Sequence, residues 1–249
     1  MSSSPEPRVG HPATIHLVRH AESAGNVANA AALEAGMPEL DLAIRDMDVP
    51  LSPLGEEQAA ALGTWFESLP RPPDAIWCSP YRRALSTVTI AAESAGLDLP
   101  IRCDERLRER EFGILDRLTK VGIEARHPEQ AAARAFLGKF FHRPPGGESW
   151  ADVAARVRAV VVDLRLDHAG QQVVVVTHQA VITLFRYVLE ALDERQILAI
   201  DRGEEIANTA VATFEGGDGD GPRLVAWNQT PHLQPEERTA APDRPVAPR

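Results

Sequence analysis

A chain of 249 residues, 44% apolar but only 5% aromatic, is long enough for one hydrophobic core. That core must be built from Val, Leu, Ile and Ala, which suits helices packed on a sheet. A net charge of −10 excludes nucleic acid or an anionic membrane surface as the main partner, so an anionic substrate needs a local cluster of cations. Cys78 and Cys103 are the only cysteines and have no metal-ligand or CxxC spacing, so neither a disulfide framework nor a zinc site is indicated. Residues Met1 to Pro12 lack an apolar leader core and no run approaches the ~18 apolar residues of a membrane span, so the expected compartment is the cytoplasm.

In chain order, residues 1–12 are polar and proline-containing and are expected to form a disordered tail. Thr14 to Val18 is a compact β-branched and apolar run ending on Arg19 and His20, which predicts a buried strand presenting polar groups at its carboxyl end. Ser52-Pro53 forms an N-cap and first-turn pair, after which Ala59, Leu62, Phe66 and Leu69 recur at helical spacing. Ala75 to Cys78 predicts a strand closed by Ser79-Pro80, and Tyr81 to Ala95 a helix stopped by Gly96. Leu99 to Arg102 predicts a further short strand. Leu118 to His142 predicts a helical cap, and its Arg126, Arg134, Lys139, His142 and Arg143 are either solvated helix charges or contacts to the remote part of a substrate. Trp150, Val153, Val157, Val160 and Leu164 mark the next helix, with Ser149 as its cap after Glu148. Val173 to Val176 predicts a second strand ending on a histidine, His178, followed by a helix over Ala180 to Leu192. Val211 to Phe214 and Leu224 to Trp227 predict an antiparallel addition joined through the Gly216 to Gly221 turn. Residues 229–249 carry five prolines and little apolar surface and are expected to form a second tail. The alternation implies one α/β domain over residues 13–228, a three-layer α/β/α arrangement with a mostly parallel central sheet.

Ligands of open parallel sheets bind beyond the carboxyl ends of the strands, where this chain places both His20 and His178. Arg19 ends an apolar strand, where a guanidinium needs an anion, either an internal carboxylate or a substrate phosphate. Arg82 and Arg83 follow another strand end about 100° apart on a helix, so only one of them faces that edge.

The string Leu17-Val18-Arg19-His20-Ala21-Glu22-Ser23, with Asn26, resembles the L-V-R-H-G-E-S-x-x-N signature of the histidine phosphatase, or phosphoglycerate mutase-like, superfamily (branch 1). Leu51 to Gly55 is similar to its L-S-x-x-G, Ser79 to Ala84 to its S-P-L-x-R-A, and Leu107 to Gly113 to its L-x-E-x-x-x-G segment. Gly147-Glu148-Ser149 and Val176-Thr177-His178 complete the order, and the likeness spans Thr14 to Phe214. The resemblance implies the phosphoglycerate mutase-like fold and a phosphohistidine formed on a neutral His20. Arg19, Arg83, His178 and Asn26 would hold the phosphoryl oxygens, with Arg82 at the surface, and Glu109 would serve as general acid and then base. It implies neither cofactor nor metal; His16, His20 and His178 as metal ligands lack carboxylate or cysteine partners at ligand spacing.

The chain departs from the pattern at Ala21, where the family has glycine, and at Gln179, whose amide becomes a candidate oxygen ligand. After Asn26 an alanine-rich insert through Met47 replaces the tryptophan-rich mutase segment, and the mutase pattern is also missing after Gly113. These departures favour hydrolysis of a small phosphorylated substrate. A cofactor-dependent phosphoglycerate mutase is the alternative, and a non-catalytic phospholigand-binding module the second, disfavoured because His20, Glu109 and His178 are all present. A homodimer is the base-rate expectation for an acidic α/β enzyme of this size.

Overall fold

The computed structural model describes residues 10–217 and 221–241. Its sheet has six strands: β1 (Thr14–Arg19), β2 (Ala75–Cys78), β3 (Ile101–Cys103), β4 (Gln172–Thr177), β5 (Val211–Gly217) and β6 (Gly221–Gln229). They lie in the order β3-β2-β4-β1-β5-β6; the first four are parallel, β5 runs antiparallel to β1, and β6 runs antiparallel to β5. The mostly parallel sheet expected from the sequence is the one observed.

Alternation along the strands separates two cores. Ile15, Leu17, Val173 and Val175 pack on one face against α6 (Trp150–Asp167), α7 (Gln179–Leu189) and α8 (Glu194–Gly203). Val18, Ile76, Val174 and Val176 pack on the other against α2 (Pro53–Ser68) and α3 (Arg82–Ser94). Both faces of β4 are covered, which is why its sequence is a continuous valine run rather than an alternating one. Burying each of those valines stabilises the fold by roughly 2 kcal/mol, so β4 is the strand least able to tolerate a polar change.

Helices α1 (Ala24–Glu34), α4 (Lys120–Arg126) and α5 (Pro128–Phe141) lie largely outside these two cores. The last two form the expected helical cap. Arg126 and Arg143 pair at its surface with Glu39 and Asp152, whereas Arg134, Lys139 and His142 line a cavity beneath it. Among the described residues no helix is long and apolar enough to cross a membrane.

Two glycines of the sequence motifs have steric reasons. A Cβ on Gly55, in the first turn of α2, would sit 1.9 Å from the Glu22 carbonyl oxygen. Gly113 has φ of +54°, and its Cβ would lie 2.1 Å from the carbonyl oxygen of Pro145. Ala21, by contrast, is fully buried with Leu51 and Ala59 and its N–H reaches Thr87 Oγ1 at 2.9 Å, so the methyl group fills core space.

Two expectations are corrected. The edge strand begins at Ile101, not Leu99, because Pro100 between them has no N–H to give a ladder. Residues 230–241 are not a free tail: Leu233 is buried, the Asn208 N–H donates to the Thr239 carbonyl at 2.8 Å, and Gln58 Nε2 donates to the Glu237 carbonyl at 2.7 Å. Hydrogen bonds to backbone carbonyls hold this stretch, and composition does not reveal them. The hairpin turn at residues 218–220 and the expected tail segments 1–9 and 242–249 lie outside the described residues.

His16 is the one strand histidine turned away from the strand ends. It is 6% exposed, bonds Thr213 Oγ1 through Nδ1 at 3.0 Å and meets Trp65 edge-on. Burial pushes its imidazole from 6.5 down to about 4. The folded state therefore disfavours the proton that the unfolded chain accepts, so this contribution to stability is full above pH 6.5 and is lost as pH falls from 6.5 towards 4. Each tenfold loss of proton affinity on folding corresponds to about 1.4 kcal/mol, so wild type should lose about 3 kcal/mol more across that window than His16→Asn. Urea midpoints measured for both proteins across that window check this, and parallel curves would refute it.

Candidate active site

The parallel pairing of β1 with β4 sets Arg19 opposite Thr177, so the residues that follow, His20 and His178, emerge side by side. The His20 N–H donates to the Thr177 carbonyl at 2.9 Å, and the two imidazole centroids are 5.1 Å apart. Both histidines are fully buried, as is Arg19, and Arg83 is 1% exposed.

The hydrogen bonds of His20 assign its tautomer. Nδ1 lies 2.7 Å from the Ala21 carbonyl oxygen, which can only accept, so Nδ1 carries the proton. Nε2 lies 3.3 Å from Nε of Arg83, which can only donate, so Nε2 holds a lone pair. His20 is thus a neutral ring whose basic nitrogen points at a guanidinium. Its carbonyl is clamped by Asn208 Nδ2 at 3.0 Å.

Arg83 stands in the first turn of α3 and faces the pocket, while Arg82 faces solvent, as the 100° helical offset requires. The Arg83 Nη1 donates to the Asp46 carbonyl at 2.8 Å and lies 3.2 Å from Asp46 Oδ1. Arg19 spreads its fork over two carbonyls, Ile206 at 2.5 Å and Ala241 at 2.6 Å. Asn26 closes a capping box with Ser23 at the start of α1 and turns its Nδ2 to the same Ala241 oxygen, 2.8 Å away. Two expected phosphoryl ligands therefore converge on one carbonyl oxygen, so their donors already point at a common acceptor position.

His178 caps α7 and its Nε2 is 2.8 Å from Ser79 Oγ, with the Tyr81 ring edge-on at 5.3 Å. Glu109 is 5% exposed and accepts from the Arg110 N–H at 2.8 Å, and its other oxygen faces the Ala180 N–H in the first turn of α7 at 3.5 Å. Thr177 Oγ1 binds the Leu107 carbonyl at 2.7 Å, which ties the loop carrying Glu109 to the histidine-bearing strand. Glu148 does not enter the site; it accepts from Arg108, from Arg156 and from the Glu111 N–H and so braces the same loop. Glu22 is likewise structural, accepting from Ser52 Oγ at 2.7 Å. Gln179 leaves its Oε1 buried without a hydrogen-bond partner among the described residues.

Three contributors escaped the sequence expectations. Asp46, the carboxylate on Arg83, sits in the alanine-rich insert, where no periodicity or spacing marks it. Asn208 lies in an irregular stretch after α8. Ser79 belongs to a motif segment, yet its bond to His178 depends on a strand pairing that spacing alone does not give. Among the described residues no group of three or more histidines, cysteines or carboxylates is placed to hold a metal ion.

The pattern of the histidine phosphatase superfamily (branch 1) matches residues 15–230. The chain is 34% identical over 171 residues to a 6-phosphofructo-2-kinase/fructose-2,6-bisphosphatase of Caenorhabditis elegans, covering 69% of this chain and 33% of that protein. It is 34% identical over 184 residues to the 2,3-bisphosphoglycerate-dependent phosphoglycerate mutase of Methylobacterium radiotolerans, covering 73% of this chain and 81% of the relative. Among solved structures, a mycobacterial glucosyl-3-phosphoglycerate phosphatase with inorganic phosphate superposes with a TM-score of 0.67 at 28% identity, covering 89% of this chain and 99% of that one. A histidine pair at adjacent parallel strand ends, ringed by arginines, thus accompanies a sequence match over nearly the whole described chain: the protein belongs to the histidine phosphatase superfamily, branch 1, enzymes that work through a phosphohistidine.

Proposed function

We propose that the chain is a phosphomonoester hydrolase with His20 as nucleophile and Glu109 as proton donor and acceptor. The observation that carries this is the bonding of His20, which leaves Nε2 as a lone pair beside Arg83. Nε2 attacks phosphorus, the N–P bond forms as the ester P–O bond breaks, and Glu109 gives its proton to the departing oxygen. Water then attacks the phosphohistidine, loses its proton to Glu109, and the N–P bond breaks to release phosphate. Arg19, Arg83, Asn26 and His178 hold the non-bridging oxygens while their charge rises. The Gln179 Oε1 accepts a hydroxyl of the leaving group rather than a phosphoryl oxygen, because an amide oxygen repels an anion.

Phosphoglycerate mutase is the second activity to weigh, favoured by the likeness to the Methylobacterium enzyme. Hydrolysis is preferred because a mutase must keep water from its intermediate, and the segments after Asn26 and Gly113 depart from the mutase pattern. The test is a panel of small phosphomonoesters assayed for inorganic phosphate, run beside interconversion of phosphoglycerates with a bisphosphoglycerate primer. Phosphate release without a primer is the expected result. Primer-dependent interconversion with negligible release would overturn it.

A further inference from the structure

Beneath the cap, among the described residues, lies a cavity of about 470 Å³ bounded by α4, α5, the last turn of α8 and the loop after Glu109. None of His20, Arg19, Arg83 or His178 lines it. Its wall carries five cationic side chains, Arg110, Lys120, Arg134, Lys139 and Arg202, against two carboxylates, Glu124 and Asp201. This excess of positive charge sits inside a chain whose net charge is −10.

Arg110 is buried, and Arg134 and Lys139 are half-buried rather than splayed into water. Arg110 is 3% exposed and forms no ion pair among the described residues, although Glu109, Glu148 and Asp152 act on it at longer range: its guanidinium meets the carbonyls of Glu148 and His142 and the Phe112 ring. Burial, with Arg134 adding to it, draws that guanidinium down to about 10. Lys139 is bound to Asp201 at 2.5 Å and is still pushed down by burial. A cavity whose wall carries more cations than carboxylates favours an anion. Between the cations the wall is apolar, with Phe112, Leu115 and Leu198.

We propose that this cavity binds an organic anion, with a carboxylate, sulfonate or phosphate head between Arg110, Arg134 and Lys139 and an apolar body against Phe112, Leu115 and Leu198. Such a ligand is either the remote end of the substrate or a separate molecule. The first residue of the wall bears directly on catalysis in both cases, because the Arg110 N–H holds Glu109 Oε1 at 2.8 Å.

The test is calorimetric titration with 4-phenylbutyrate, using the corresponding alcohol, 4-phenylbutanol, as the neutral control. It is carried out on His20→Ala as well as wild type, so binding is read without turnover and does not depend on the hydrolase assignment. One carboxylate should bind per chain, at least about tenfold tighter than the alcohol, since a charge-assisted contact is worth more than a neutral one. Arg134→Gln should weaken it by about tenfold or more, and Ala135→Phe, which fills the space while leaving every cation in place, should remove it. Thermal unfolding of both variants reports that they fold. If the carboxylate raises KM in the phosphatase assay, the cavity takes the remote end of the substrate. A change in kcat alone, or no change, assigns the cavity to a separate molecule. Equal affinity for acid and alcohol, or unaltered binding in both folded variants, would overturn the proposal.

Discussion

His20→Ala should abolish phosphate release from every phosphomonoester, a loss on the order of 10⁴-fold or more, because it removes the proposed nucleophile. The neighbours survive the change. Arg83 keeps Asp46, and Arg19 and Asn26 keep the common acceptor position that the Ala241 carbonyl fills, so the variant should still bind orthovanadate as that carbonyl gives way. Phosphate bound to the nitrogen of His20 should be detectable in wild type by rapid quench under alkaline conditions, where a phosphoramidate persists, and be missing from His20→Ala. Turnover by the variant at even a tenth of the wild-type rate would remove His20 from the nucleophile's position.

Glu109→Gln should separate the two proton transfers. With an alkyl ester the leaving oxygen needs a proton, so the first step should slow by roughly 10²–10⁴-fold. With p-nitrophenyl phosphate the leaving group departs as a stabilised anion, so one equivalent of nitrophenolate should appear at nearly the wild-type rate. The following step should then be slow, because water has lost its base. A burst ahead of a slow steady state is the signature of that sequence, and equal slowing of the two ester types in the first turnover would assign the acid elsewhere. Glutamine is near-isosteric and its carbonyl can still accept the Arg110 N–H, so a changed melting point is not expected.

What the sequence made legible follows from the physics of strand ends. A valine-rich run belongs in a parallel sheet, and the residue after it must emerge at the carboxyl edge, so the sequence alone puts His20, His178 and Arg19 at strand ends. Choosing Arg83 over Arg82 needed motif identity as well as the 100° offset, and the burial of the one and exposure of the other match that choice. Asp46 was illegible because a carboxylate in an irregular insert carries no period. Residues 230–241 misled for a different cause: their low apolar content describes a segment unable to build a core, yet they dock on one that already exists, through Leu233 and backbone hydrogen bonds. Arg134, Lys139 and His142 of the cavity were legible as a group within the cap segment, whereas Arg110 was not, since it joins them only through the fold.

The seat of the Ala241 carbonyl on Arg19 and Asn26 bears on how the protein is handled at the bench. A purification tag or surface linker joined just beyond that residue starts beside Arg19 and Asn26 and is expected to compete with ligands there. Joined ahead of Gly10, whose N–H meets the Arg165 carbonyl near the far end of the sheet, the same attachment is expected to leave the pocket clear.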